Sequence, residues 1–118
     1  MKVDNFEDLI VWQNAIDLLT RLVARFGDSK TFWYRDQLLR ATTSISSNIA
    51  EGFERNTRKE FARFLFISRG SCAEVRSLIH VGEKCGYIEK EEAQILIGDT
   101  KKLSFLIFKL IRSLNINI

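Results

Sequence analysis

The chain has 118 residues, of which 46% are hydrophobic and 28% charged, with a formal net charge of +3. This length and composition predict one globular domain over residues 1–118 and exclude intrinsic disorder and a two-domain enzyme. The longest uncharged run, residues 41–50, is far shorter than the roughly 20 apolar residues that span a bilayer. The N-terminus is acidic where a signal peptide is apolar, so we expect a cytoplasmic protein without membrane contact.

The sequence contains no proline, although average usage of about 5% predicts roughly six. Because proline interrupts helices, its absence favours long unbroken helices. The two cysteines, Cys72 and Cys85, are too few and too widely spaced for a zinc cluster or a redox pair. We therefore expect two free thiols, with no metal site and no cofactor.

Four consecutive segments carry apolar residues at the spacing of three and four that indicates amphipathic helices. The first segment ends at Gly27, and the third begins with a capping-box pattern at Thr57 and Glu60 and ends at Gly86. The predicted helices span residues 8–26, 31–54, 58–85 and 89–115. The residues predicted to face the core are Leu9, Trp12, Ile16, Leu19, Val23 and Phe26 in the first helix, Leu38, Ala41, Ile45, Ile49 and Gly52 in the second, Phe61, Phe64, Leu65, Ser68, Cys72, Val75, Ile79 and Gly82 in the third, and Leu96, Leu103, Ile107, Leu110 and Leu114 in the fourth.

The connections between these segments are only a few residues long, so consecutive helices should be antiparallel neighbours. The predicted fold is all-α, an up-down-up-down antiparallel four-helix bundle. The spacing of three and four also favours near-parallel packing of the helices.

Apolar residues outside these stripes indicate self-association. Phe105 and Phe108 lie nearly opposite the core-facing arc of the fourth helix, and Leu18 widens the apolar arc of the first. Large exposed apolar patches usually mark interfaces, so we expect a closed homo-oligomer with Leu18, Phe105 and Phe108 at the contact. The alternative is that these are scattered surface residues, which are common.

A line of polar and small residues, the polar seam, follows the second helix beside its apolar stripe. An antiparallel hairpin turning near Asn56 would place Arg40 opposite Glu74, Ser44 opposite Gly70 with a close backbone approach, and Glu51 opposite Arg63. The seam then serves either as a set of ion pairs that orient two helices or as a site for a polar ligand or partner. Its members on the second helix are Gln37, Arg40, Ser44, Ser47, Asn48, Glu51 and Arg55, and Glu74 faces them from the third helix.

The excess of basic residues lies in the middle of the chain, since seven of the ten arginines fall between residues 35 and 76. On the third helix Arg58, Arg69 and Arg76 share one face, which Lys84 continues with Phe66 nearby. Over about 39 Å this face could follow the phosphates of RNA or DNA. The alternative is a solvated or ion-paired face, because acidic residues share the segment.

The sequence shows no recognisable catalytic chemistry. The single histidine, His80, has no acid placed to orient it, and a pairing with Cys72 as nucleophile is not expected. The chain also has no glycine-rich phosphate-binding loop and no Glu-x-x-His pair of the kind that binds di-iron centres in helical bundles. We therefore expect that the protein is not an enzyme.

Several of these residues resemble a known family. The stretches at residues 9–12, 37–41, 44–52 and 69–71, together with Glu74, are similar to those of the four-helix-bundle family encoded in intervening sequences of bacterial 23S rRNA genes. One departure is Ser46, where the family often has proline. The resemblance implies a barrel-like homopentamer related to accessory proteins of the reverse transcriptase of diversity-generating retroelements, which bind nucleic acid and a protein partner. It also implies that the polar seam and Arg69 serve the shared architecture or the shared ligand.

Two functional hypotheses follow. The first is a non-enzymatic oligomeric bundle that binds RNA or DNA through Arg58, Arg69, Arg76 and Lys84. The second is a protein–protein assembly scaffold or accessory factor without nucleic-acid contact.

Overall fold

The structure, a computed structural model, describes residues 3–116, and within them every regular element is helical. A short 3₁₀ turn at Phe6–Asp8 precedes α1, and the whole measures 43 × 21 × 20 Å. No helix in this range is both long enough and apolar enough to cross a membrane. The four helices are α1 (Ile10–Phe26), α2 (Phe32–Phe53), α3 (Arg58–Lys84) and α4 (Lys90–Ser113).

Each helix packs against two neighbours, so the four form a ring around one core. α1 contacts α2 and α4, and α3 contacts the same two helices. The α2–α3 pair is antiparallel: Ser68 Oγ donates to the carbonyl of Ile45 at 2.9 Å, while the Oγ atoms of Ser44 and Ser71 lie 2.8 Å apart. The predicted all-α fold with four antiparallel helices is confirmed, and the closed homo-oligomer stays a prediction.

Capping residues set both ends of α3 as the sequence predicted. Thr57 Oγ1 accepts a hydrogen bond from the Glu60 amide at 3.1 Å, while the Glu60 carboxylate pairs with Arg63 rather than closing the capping box. At the other end Gly86 has a φ of +80°, and the Tyr87 amide donates to the carbonyl of Gly82, which is the Schellman arrangement. Glycine adopts this backbone conformation without steric cost.

The predicted core of α2 is correct, but that of α1 is correct only at Leu9 and Phe26, with Trp12 packed against the core from a half-buried position. Every predicted core residue of α2 is buried, and the helix runs unbroken through Ser46. In α1, however, Val23 is 48% exposed, whereas Leu18, predicted at an oligomer contact, is only 4% exposed and belongs to the core. Both sets of α1 residues repeat at helical spacing, and the positions of α2 and α4 decide which set is buried. The buried residues of α1 are Val11, Ala15, Leu18, Leu22 and Phe26.

The outer face predicted for α4 is correct at Phe105 and only partly correct at Phe108. Phe105 is 58% exposed, while Phe108 is half-buried. Leu110 and Leu114, predicted in the core, are also only half-buried, since Ile111 takes the inward position in this part of the helix.

The close backbone approach predicted at Gly70 is wrong. A Cβ atom added at Gly70 would meet nothing within 4 Å, so this glycine borders open space. The tight contacts occur at Gly52, where a Cβ would lie 2.5 Å from Phe64 Cβ, and at Gly82, where it would collide with the Tyr34 hydroxyl. Glycine is required at these two positions because other elements occupy the space of a side chain.

Candidate nucleic-acid interface

Cations and carboxylates are paired where α1 meets α4. Arg21 Nη2 lies 2.7 Å from Asp99 Oδ2, and Arg25 Nε lies 3.0 Å from Glu92 Oε2. These side chains are 37–49% exposed, so each pair stabilises the fold by only about 0–1 kcal/mol. The main consequence of the pairing is that this face is electrically balanced.

The junction between α3 and α4 is different, because its cations lack carboxylate partners. Within residues 3–116, Arg69, Arg76 and Arg112 form no ion pair. Arg69 Nε donates to a neutral group, Ser104 Oγ, at 3.3 Å. The positive charge of these guanidinium groups therefore remains available to an anion.

The three arginines border two depressions that share the Phe66 side chain, which we call the two lobes of the α3/α4 groove. The first lobe, of about 340 Å³, contains Arg69 and Arg76, and the second, of about 290 Å³, contains Arg112. Phe66 lines both lobes, and no Asp or Glu of residues 3–116 lines either one. The other lining residues are Gly70, Cys72, Ala73, Thr100 and Ser104 in the first lobe and Phe108, Ile111, Asn115 and Ile116 in the second.

Phe108 supports the arginines of the groove. The Arg69 guanidinium carbon lies 4.8 Å from the centroid of the Phe108 ring, and that of Arg112 lies 5.9 Å from it. Both contacts fall within the range of cation–π attraction. The half-buried ring of Phe108 is therefore in contact with two of the groove's cations.

The four cations predicted to bind phosphates do not form one site. Arg69 and Arg76 line the groove, whereas Arg58 is the first residue of α3 and Lys84 the last, both exposed. The single face predicted for them is interrupted, because Ala62 and Leu65 lie in the same direction and are fully buried against the core. Of these four cations, two therefore line the groove and one lies at each end of α3.

Arg112 is the groove residue that the sequence analysis missed. It lies on α4, 36 residues beyond Arg76, so no pattern within α3 could indicate it. The available signal was the spacing of four between Phe108 and Arg112, which places a cation beside an aromatic ring on one helical face.

The polar seam forms hydrogen bonds between α2 and α3, but its predicted ion pairs are wrong. Asn48 Nδ2 donates to the carbonyl and the Oγ of Ser44 at 2.8 and 2.9 Å, and Ser44 in turn contacts Ser71. Glu51 pairs with Arg55 one turn away instead of with the predicted Arg63. This network explains the small polar residues as structural contacts between the two helices.

Arg40 and Glu74, predicted to pair with each other, are both exposed, and the structure shows no ion pair for either within residues 3–116. Long charged side chains on a wet surface gain little from pairing, because water solvates them well. The seam residues line neither lobe of the α3/α4 groove.

The two cysteines are free, as predicted, and lie in different environments. Cys72 is 1% exposed, and its burial raises the pKa of the thiol to about 12. A nucleophilic cysteine needs a lowered pKa, because the thiolate is the reactive form. His80 is exposed and Cys72 is buried, so the arrangement does not favour nucleophilic catalysis.

The fold and the groove define a helical-bundle protein with an arginine-rich surface depression. The family model for 23S rRNA-intervening sequence proteins matches residues 7–109, and the chain belongs to this family. A solved structure, that of a protein of unknown function from the S23 ribosomal protein family of Bacteroides thetaiotaomicron VPI-5482, is similar with a TM-score of 0.80 and 24% identity. The similarity covers 86% of this chain and 98% of that one, and it supports the fold alone. No curated protein matches the sequence.

Proposed function

We propose that this protein is a non-enzymatic, self-assembling four-helix bundle that binds RNA or DNA through the basic surface of α3 and the α3/α4 groove. The observation that carries this proposal is the absence of carboxylates among the groove residues within 3–116, while three arginines border it. Elsewhere in the same molecule arginines meet acids, as at the α1–α4 junction. The groove thus concentrates the modest excess of positive charge.

Arginine suits this role because its planar guanidinium group can donate two hydrogen bonds to one phosphate and remains charged at every physiological pH. A net charge of +3 is small for a nucleic-acid-binding protein. Self-assembly into the homopentamer that the family resemblance implies would multiply the number of grooves and the total charge. Binding of a long strand by several subunits would then exceed the affinity of one groove.

The test is a fluorescence-anisotropy titration of the assembled protein with labelled RNA and DNA at several salt concentrations. Binding should weaken steeply with salt. For a single strand, the double substitution Arg69→Gln with Arg76→Gln should reduce the slope of log affinity against log salt by about 1.4 for each groove that the strand occupies, since each lost phosphate contact contributes about 0.7.

A matched control removes the same charge from another part of the surface. Lys30→Gln with Lys102→Gln changes two exposed lysines that do not line the α3/α4 groove. This variant should keep a slope close to that of the unchanged protein. Equal slopes for the two double variants would refute the groove as the phosphate-binding surface.

A second function is favoured by one specific observation, the exposed apolar residues on α1 and α4. Ile10, Ile95 and Phe105 are 64%, 63% and 58% exposed, which is unusual for large apolar side chains. Copies of the chain would cover part of this surface, and another protein could bind the remainder. An intact oligomer that binds neither RNA nor DNA at low salt would favour this scaffold function and would make Arg69 structural.

A further inference from the structure

We infer that the α3/α4 groove accepts an unpaired segment of a nucleic-acid strand, with one base stacked on the ring of Phe66. The inference rests on the proposed function and adds to it the place of binding and the single-stranded class of ligand. Three features support it: the position of Phe66, the small residues on the floor of the groove and the spacing of the arginines.

Phe66 is the one aromatic ring that lines both lobes, and it is 41% exposed. Within residues 3–116 it has no aromatic or guanidinium partner, whereas the ring of Phe108 is covered by two arginines. A partly exposed ring beside unpaired arginines is the combination that binds single strands, because a base stacks on the ring while cations neutralise the phosphates.

The floor of the groove is low between the arginines. Gly70 and Ala73 on α3 and Ser104 on α4 line the first lobe, and a Cβ at Gly70 would project into open space. Because Gly70 has no side chain, the lobe stays empty. Packing within the protein does not require a glycine at this position. At an unhindered position inside a helix, alanine stabilises the fold by about 1 kcal/mol relative to glycine. Gly70 therefore lowers the stability of the fold.

The spacing along α3 fits a strand better than a point anion. Arg69 and Arg76 are seven residues apart, which is about 10 Å along the helix axis. Successive phosphates of one strand in a duplex are about 3.4 Å apart along its axis, and an unstacked strand is more extended, so the two arginines would span at most about three nucleotides.

A duplex fits this groove poorly. Its bases are stacked on one another and present only their edges to a protein, so none can stack on Phe66 unless it is unpaired. The groove also lies between two helices in contact, whose axes in such packing are about 8–10 Å apart. It is therefore narrow, which suits one strand better than a duplex.

The experiment compares labelled oligo(U), oligo(dT) and a duplex of equal length, using the assembled protein and three variants. Phe66→Ala should weaken binding of the single strands by about 5-fold or more and leave the salt slope unchanged, because a ring is lost and no charge. Phe66→Trp should retain the affinity. Gly70→Met should block the first lobe and weaken binding by at least 10-fold.

Gly98→Met is the matched control for Gly70→Met. Gly98 is also helical, exposed and free of neighbours within 4 Å of an added Cβ, but it lies outside the groove. The control should bind as tightly as the unchanged protein. The oligomer mass of each variant is measured in parallel.

The outcomes separate the inference from the function on which it rests. Salt-dependent binding that is equally tight for the duplex, or unaffected by both Phe66→Ala and Gly70→Met, would overturn the inference and leave nucleic-acid binding in place. Loss of the oligomer with Gly70→Met would overturn it too, because the groove would then be a contact between copies. No binding of any oligonucleotide at low salt would overturn both.

Discussion

Gly70 and Gly82 lie on the same helix and have opposite surroundings. Gly82 is buried beneath the Tyr34 hydroxyl, which donates to the carbonyl of Leu78 at 2.6 Å. Gly70 borders solvent. Packing therefore requires glycine at position 82, whereas the fold itself does not require it at position 70.

Substituting alanine at each position should give effects of opposite sign. Gly82→Ala should lower the free energy of unfolding by about 1–3 kcal/mol, because its methyl group forces Tyr34 or Ile88 to move. Gly70→Ala should raise it by up to about 1 kcal/mol through helix propensity. Denaturant titrations at one protein concentration measure both, and a stabilising Gly82→Ala would contradict the packing described.

The buried thiol of Cys72 should make the fold sensitive to alkali. Its pKa is about 12 in the folded protein and about 8.5 in an unfolded chain, so the folded state holds the proton that the unfolded state loses. The free energy of unfolding should therefore fall as pH rises from about 9 to 12, by up to about 1.4 kcal/mol per pH unit.

Cys72→Ala should remove the decrease in the free energy of unfolding between pH 9 and 10. The decrease should continue above pH 10, since burial also raises the pKa of Tyr34 to about 12. Cys85→Ala, which alters the exposed cysteine, is the control and should keep the decrease between pH 9 and 10. Identical stability profiles for the two variants would show that Cys72 is not the titrating group.

Helix ends illustrate what local sequence determines. The Thr57 cap and the Gly86 terminus were predictable, because each depends on residues within one turn of the helix end. Thr57→Ala should destabilise the protein by about 1 kcal/mol, since the Glu60 amide loses its acceptor. Thr43→Ala, in an exposed mid-helix position, should be close to neutral by the same denaturant titration. Equal losses of stability in the two variants would show that the Thr57 cap does not stabilise the protein.

The inward face of a helix is predictable only when its sequence offers one apolar stripe. α2 has a single stripe flanked by polar residues, and its predicted core is correct. α1 is apolar over about half its circumference, so the stripes through Ile16 and through Leu18 fit the helical period equally well. Packing against distant elements selects the second, and periodicity contains no information about those elements.

The same limit applies to the candidate site. Arg69 and Arg76 could be identified because they recur on one helix, but the groove also needs Arg112 and Ser104 from α4. Ion pairing was harder to predict still. Glu51 pairs with Arg55 and Arg63 pairs with Glu60, so each forms its ion pair within its own helix segment rather than with the residue predicted on the facing helix.

At the scale of the whole molecule, the exposed Phe105 should hold copies together. Phe105→Asp should reduce the mass in solution to the 13.7 kDa of one chain while helical circular dichroism is retained, because the ring is 58% exposed and the monomer does not need it. Leu18→Asp should instead unfold the protein, since it buries a charge in the core. An oligomer that survives Phe105→Asp would refute this contact.

Photo-cross-linking of a 4-thiouridine-containing oligonucleotide to the assembled protein, followed by peptide mapping, would locate the bound strand directly. We expect cross-links at Phe66 and its neighbours along the α3/α4 groove, reduced at high salt. Cross-links confined to the balanced α1–α4 face, or none at low salt, would contradict it.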